Sequence, residues 1–424
     1  MKLNRFIVDY IVEIMRSTAV FLGLIALLGL LLQRKPFEEV LKGTLKTIIG
    51  MLILLKGVDI ISASIQPLAQ GFTEIFAIEG DGLSGSFGDF LGEYGSEIGT
   101  IMLLAFLGNL IIARFTKLKG IYLSGHLLFW YPMLFLAVGV EAGLEGWALI
   151  AFALAFDIIA ITVGPFLMIK PIERLTGKRD FTVAHTATPF LLLGDFIGGK
   201  IGNKENSTEN LNFPKKLSFM SDTTITSGLV MFLVYFLVAA LMPSGVRAEV
   251  MGDNWVLTSI TEGLTFAAGL VVILTGVRMF LAEIVPAFKG ISDKLVPGAV
   301  PGLDIPIIFP YGPKALLIGF IVALGTSIAT IFLLGNLGFF VVAVIPLTIA
   351  AYFDVAPAAI LANNRGGVVP AVITSVIGGI LLIVVAAYTI PLISNTAGDF
   401  LQLYGGNEFS VWTAISSLFS AIFS

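Results

Sequence analysis

Apolar runs long enough to cross a lipid bilayer recur along almost the whole of this 424-residue chain. Such runs leave the backbone little choice. No water in hydrocarbon satisfies a free N–H or C=O, so each segment of about 20 residues must bond internally as a helix. Hydrophobic residues make up 57% of the chain and charged residues only 13%, against about 25% charged in soluble domains. The fold class is therefore an all-α polytopic membrane protein, with the bilayer as a partner. Spans read near 17–33, 43–65, 99–116, 121–140 and 146–169, then near 222–242, 256–282, 315–333, 337–353 and 369–391. A short apolar helix near 409–423 brings the total to about eleven. Lys56 with Asp59, and Arg278, interrupt the second and seventh spans. The first 17 residues mix charge into a helical apolar pattern and read as an interfacial amphipathic helix. The absence of cysteine excludes disulfides, thiolate metal sites and a cysteine nucleophile. A net charge of −4 without a basic patch argues against nucleic acid as a partner.

Lysine and arginine assign the sides, because loops rich in them stay cytoplasmic. Arg34, Lys35 and Lys42 follow the first span, and Arg114, Lys117 and Lys119 the third. Lys170, Arg174, Lys178, Arg179, Lys200, Lys204, Lys215 and Lys216 follow the fifth, and Lys289, Lys294 and Lys314 the seventh. Between Lys56 and Arg114 there are only acids, as in the 141–146 loop. The N-terminus is thus expected outside and the C-terminus in the cytoplasm, although Lys2, Arg5 and Arg16 then lie on the outer side.

Residues 50–71 align without gaps to 269–290. Gly50, Leu55, Gly57, Val58, Ala63, Ile65, Pro67 and Gly71 match Gly269, Leu274, Gly276, Val277, Ala282, Ile284, Pro286 and Gly290, which is eight identities in 22 positions. Five spans per half invert the second copy. Inverted repeats with Gly- and Pro-bearing spans at matching places mark transporters, with the site at the repeat interface. The expected halves are 1–210 and 211–400, followed by a terminal helix over 401–424, with no fused soluble domain. Chance similarity between apolar helices is the competing explanation.

Polar residues inside apolar segments are costly and so are candidate site residues. The only two histidines are of this kind: His126 in Ser124-Gly125-His126 and His185 in Ala184-His185-Thr186-Ala187-Thr188-Pro189. Each could instead be a packing or edge residue bonded to a carbonyl. The segment 276–313 carries five prolines before residue 311 and cannot form one helix. It reads as a helix end, an amphipathic cytoplasmic helix and an extended turn holding Asp304. That aspartate is either a hydroxyl acceptor or ion-coupling acid, or a cap for the next helix. Asn363-Asn364-Arg365-Gly366-Gly367 reads as a loop near the cytoplasm or as the tip of a re-entrant hairpin. The glycine-rich run 81–99 reads as an outer loop in which Gly85 and Ser86 could approach a ligand by backbone. There is no phosphate loop, zinc-protease histidine pair or serine elbow.

Several of these stretches together resemble a known family. Lys42-Gly43-Thr44-Leu45-Lys46-Thr47-Ile48-Ile49-Gly50, Ser124-Gly125-His126, Gly276-Val277-Arg278-Met279-Phe280-Leu281-Ala282-Glu283, Ala287-Phe288-Lys289-Gly290-Ile291-Ser292 and Leu295-Val296-Pro297-Gly298-Ala299-Val300 resemble the ascorbate-type enzyme IIC permeases of the bacterial phosphotransferase system. The resemblance covers nearly the whole chain. It implies an eleven-helix homodimer in the cell membrane, with a V-shaped dimerisation domain and a core that carries substrate in elevator fashion. It also implies separate A and B components that phosphorylate the sugar. The substrate site it implies takes in His126, His185 and Asp304. Two family glutamines correspond to Trp130 and Thr186, a family Thr-Tyr pair falls near Gly85 and Ser86, and a serine becomes Val58. A site built to hydrogen-bond hydroxyls discriminates sharply, so the expected ligand is L-ascorbate or a related small sugar acid or polyol.

In this expectation His126, His185 and Asp304 orient hydroxyls and Trp130 covers an apolar face, with no cofactor, no metal and no chemistry in this chain. An ion-coupled transporter using Asp304 or Asp59 is the alternative. A metalloenzyme is the poorer third, since two distant histidines without matched carboxylates make a poor metal site.

Overall fold

The computed structural model describes residues 10, 13–15, 17–76, 83–211, 222–337, 339, 344 and 347–420. Most of the amphipathic N-terminus, seven residues of the span near 337–353 and the pair Lys215–Lys216 lie outside the described residues. Among those described, seven helices are long and apolar enough to cross a membrane, so the chain is an all-α, multi-pass membrane protein. The helices are α1 (Thr18–Leu32), α2 (Phe37–Phe76), α3 (Phe87–Phe115), α4 (Gly125–Glu141), α5 (Gly146–Thr176), α6 (Thr188–Gly198), α7 (Thr223–Leu241), α8 (Ser244–Met251), α9 (Trp255–Lys294), α10 (Pro313–Asn336), α11 (Ala356–Gly366), α12 (Val368–Thr389), α13 (Gly398–Tyr404) and α14 (Glu408–Ser420).

The two segments that align with each other in sequence lie in the two longest helices, α2 and α9, each 40 residues with one internal proline. They pack antiparallel: Gly50 lies against Phe280, Gly276 against Leu54, Gly57 against Ile273 and Gly269 against Ile61. A Cβ on Gly276 would sit 2.6 Å from Leu54 Cα, so glycine sets how closely these backbones approach. Neither helix is interrupted as expected. Lys56 and Asp59 are exposed and pair at 2.9 Å on the outer face of an unbroken helix, and Arg278 is also exposed. Helix α9 runs through Pro286 to Lys294, where the sequence suggested a separate amphipathic helix. Gln33 Nε2 donates to the carbonyls of Pro286 and Ala287 beside that proline, at 3.0 and 3.2 Å. Most of the expected outer loop 81–99 is also helix, since α3 starts at Phe87.

Helices α1, α2, α7, α8 and α9 form one packed body; α3–α6 and α10–α14 form another. Each body draws on both halves of the sequence. The second contains an element that hydropathy did not signal, a parallel sheet ordered β1 (Gly120–Tyr122), β3 (Val300–Leu303), β2 (Thr182–Val183). Its β1 edge is closed by the buried Asn109, which donates to Gly120 O and accepts from Tyr122 N–H, both at 3.1 Å. This satisfies backbone groups that no water reaches.

Candidate functional site

Parallel strands put all their carboxyl ends on one side, and here each strand runs into a polar residue flagged from sequence. Strand β3 ends at Leu303, and Asp304 follows at once. Strand β2 ends two residues before His185, and β1 four residues before His126. Leu123 N–H donates to Gly302 O and Ala184 N–H to Leu303 O, both at 2.9 Å, which carries the alignment past the strands. Ser124 Oγ donates to Ala184 O at 2.6 Å and ties the two histidine turns together. As a result His126 Nε2 lies 3.8 Å from Asp304 Oδ2, and His185 Nε2 lies 3.6 Å from Asp304 Oδ1. Asp304 also caps the 3₁₀ turn Ile305–Tyr311, accepting from Ile305 N–H at 2.8 Å, so capping and site placement coexist.

These groups face a cavity of about 550 Å³ between the two bodies. Ser17, Thr18 and Ala19 of the α1 end, with Leu52, Leu55, Val58 and Ser62 of α2, form one wall. His126, Trp130, His185, Thr186, Asp304 and Asp354 are on the other. Trp130 packs on Phe400, with centroids 5.1 Å apart, and edge-on to Phe87 at 6.3 Å. The residues brought together are thus His126, Trp130, His185, Thr186 and Asp304, with Val58 opposite.

Gly85 and Ser86 are placed elsewhere. Ser86 caps α3, accepting from Gly88 N–H at 3.2 Å. Gly85 N–H donates to Ser394 O at 3.1 Å, and Asn395 in turn donates to Glu141 through its backbone and side chain at 2.7 and 3.0 Å. Asp59, the other candidate for ion coupling, is in the exposed pair with Lys56.

Sequence reasoning missed Asp354 and Asn407. Asp354 is buried within a π turn, Ala351–Val355, just before α11; such turns recur at functional sites. It accepts from Thr186 Oγ1 at 2.5 Å and from Asn407 Nδ2 at 3.0 Å, and lies 3.4 Å from His185 Nδ1. The rule that singled out the histidines, an ionisable group inside an apolar run, applies equally to Asp354 in AYFDVAP. Ala187 N–H donates to His185 Nδ1 at 3.0 Å, so the ring's proton belongs on Nε2, facing Asp304.

The short helices α6 and α11 lie side by side, close enough that a Cβ on Gly198 would sit 2.6 Å from Ala362 O. The Asn363–Gly367 segment is the end of α11, with Gly367 at φ 79° turning the chain into α12. At this end Asp195 is held by Arg174 and, at 3.0 Å, by Arg365. The arrangement can hold a hydroxyl-rich ligand: acceptors on Asp304, a donor on His185 Nε2 and aromatic surface on Trp130.

Comparison with known proteins agrees with this chemistry. A family model described as the PTS system sugar-specific permease component matches residues 13–404. The ascorbate-specific PTS system EIIC component of Mycoplasma pneumoniae is 25% identical over 446 aligned positions, covering 91% of this chain and 67% of that one. A chain with several membrane-crossing helices, matched to that family over nearly its whole length, belongs to the sugar-specific permease components of the phosphotransferase system, transport subunits that work with the system's other components.

Proposed function

We propose that this chain imports L-ascorbate or a related small sugar acid or polyol across a bacterial cell membrane and delivers it to separate A and B components for phosphorylation. The observation that carries the reading is the segregation of the cavity. Its ionisable groups, His126, His185, Asp304, Asp354 and Tyr404, all belong to the sheet-bearing body, while the α1/α2 wall offers hydroxyls and aliphatic surface. A ligand held by the ionisable groups of such a body can travel with it past a wall that lines the cavity only with hydroxyls and aliphatic side chains. This supports an elevator movement, with the α1/α2/α7–α9 body as the fixed unit of a homodimer.

In this reading the sequence halves 1–210 and 211–400 are inverted repeats, the N-terminus is outside and the C-terminus cytoplasmic. The basic segments 170–216 and 284–314 receive the soluble components, and the chain performs no phosphoryl chemistry itself. His126, His185 and Asp304 hold hydroxyls, Thr186 is fixed by Asp354, and Trp130 covers an apolar face of the ligand. The test is uptake by membrane vesicles with and without phosphoenolpyruvate and the soluble components. Uptake should require both and yield a phosphorylated product; accumulation of unmodified substrate in their absence would refute the proposal.

A further inference from the structure

We infer that the segment 405–410, which leads into α14, belongs to the ligand site, with Asn407 as a positioning residue that sets the His185–Thr186 turn through Asp354. The inference deepens the permease reading and rests on it only for the ligand. The segment follows residues 13–404, the stretch that the family model covers, so its role is carried by its own contacts. It is first fastened to α12. Gly406, at φ 78°, passes so close that a Cβ there would meet Leu382 O. Its N–H donates to Ser410 Oγ at 2.8 Å, and Ser410 Oγ also accepts from Thr389 Oγ1 at 2.8 Å. From this base two hydrogen bonds reach the site. Asn407 Nδ2 donates to Asp354 Oδ2, and the Glu408 N–H donates to Thr186 O, both at 3.0 Å.

The hydrogen bonds of Asn407 separate a positioning role from a ligand contact. Its two amide hydrogens go to Asp354 and to Tyr404 O, the latter also at 3.0 Å. Its Oδ1 accepts the Phe409 N–H at 3.1 Å and so caps α14. No donor is left for a ligand, although the side chain borders the cavity. What it holds is a buried chain of contacts. Asp354, 4% exposed, receives Asn407 on one oxygen and the Thr186 hydroxyl on the other, at 2.5 Å. The oxygen that receives Thr186 also stands 3.4 Å from His185 Nδ1. A buried oxygen stripped of its donor is costly, so without Asn407 the Asp354 carboxyl turns toward another partner. Thr186 and His185 then lose the group against which they are registered. This role is one of position and asks nothing of the charge on His185 or Asp354.

Asn407→Ser is the decisive variant, because serine caps a helix about as well as asparagine but is too short to reach Asp354 and brings no charge. Uptake of L-ascorbate by membrane vesicles, with phosphoenolpyruvate and the soluble components, gives the kinetic arm. Its KM should rise about tenfold, the scale of one lost hydrogen bond, with Vmax and melting temperature little changed. His126 and His185 are the only histidines, so nitrogen NMR of the ligand-free chain, isotope-labelled at histidine and held in detergent, reads the site directly. The His185 ring signals should move and those of His126 should stay. Either change without the other overturns the inference: a higher KM with His185 in place makes Asn407 a ligand contact, and a moved His185 at unchanged KM makes it idle in binding. The absence of both changes overturns it too and leaves Asn407 a helix cap. Should Asn407→Ser not fold, exchanging the pair decides. Asp354→Asn with Asn407→Asp restores the bond with donor and acceptor reversed and should bring KM back toward the wild-type value, whereas Asn407→Asp alone should not; equal KM values for the two overturn the inference. A wild type that takes up no L-ascorbate refutes the transport reading for that substrate, and the histidine signals of Asn407→Ser then decide the positioning role by themselves.

Discussion

The α2/α9 pair and the three-strand platform handle polar groups in opposite ways. Along α2 and α9 the seam is glycine and aliphatic surface, and charge stays outside it, as in the Lys46–Glu283 pair at 3.3 Å. In the platform the strands are only two to four residues long, yet they turn His126, His185 and Asp304 inward to one another. One region is built for close fit between backbones, the other to keep charge and hydrogen-bonding capacity inside the protein. The comparison teaches that a frame and a carrier need different sequence devices, and it can be broken separately on each side.

The largest effect should come from the frame. Gly276→Val would drive side-chain carbon into the backbone of Leu54, where even a Cβ lies 2.6 Å from Cα. Overpacking of this kind costs about 3 kcal/mol where backbone cannot yield. Thermal unfolding in detergent, followed by size-exclusion chromatography, should show a marked loss of folded protein. Gly325→Ala, at a helical glycine with open space around its Cβ direction, should show no loss. Equal behaviour of the two variants would mean that the seam does not set the packing.

On the carrier side, Asp304→Asn is the sharper probe, because asparagine caps about as well as aspartate while removing the charge. Hydrogen bonds to charged groups are worth roughly 2 kcal/mol, so ligand affinity should fall about 30-fold at an unchanged melting temperature. Unchanged affinity would leave Asp304 as a cap alone.

The two regions also differ in how far sequence reveals them. The helical character of α2 and α9 was legible because helical hydropathy is written into every turn, and their matched glycines were visible as a repeated spacing, although not that these glycines face one another across a seam. Individual strands were not legible, since GIY, TV and VPGL are too short for any period to show and pair only with segments more than fifty residues away. His126, His185 and Asp304 were visible as ionisable groups in apolar surroundings, which is a local property. Their meeting was implied by the family resemblance and by no local signal, because it depends on β3 running between β1 and β2. Asp354 escaped although the same local rule covers it; its partners Thr186 and Asn407 are 168 and 53 residues away.

The smallest expected effect tests the edge of the site. The family resemblance put Ser86 near the ligand, whereas its side chain accepts the Gly88 N–H at the start of α3 and its neighbour Gly85 bonds to Ser394. A cap serine replaced by alanine costs about 1 kcal/mol. Ser86→Ala should therefore lower the unfolding temperature slightly and leave ligand affinity as it was, because α3 frays at its first turn while the strand ends do not move. A tenfold loss of affinity at constant stability would return Ser86 to the binding site and mean that the cavity extends past Phe87 toward Ser394 and Asn395.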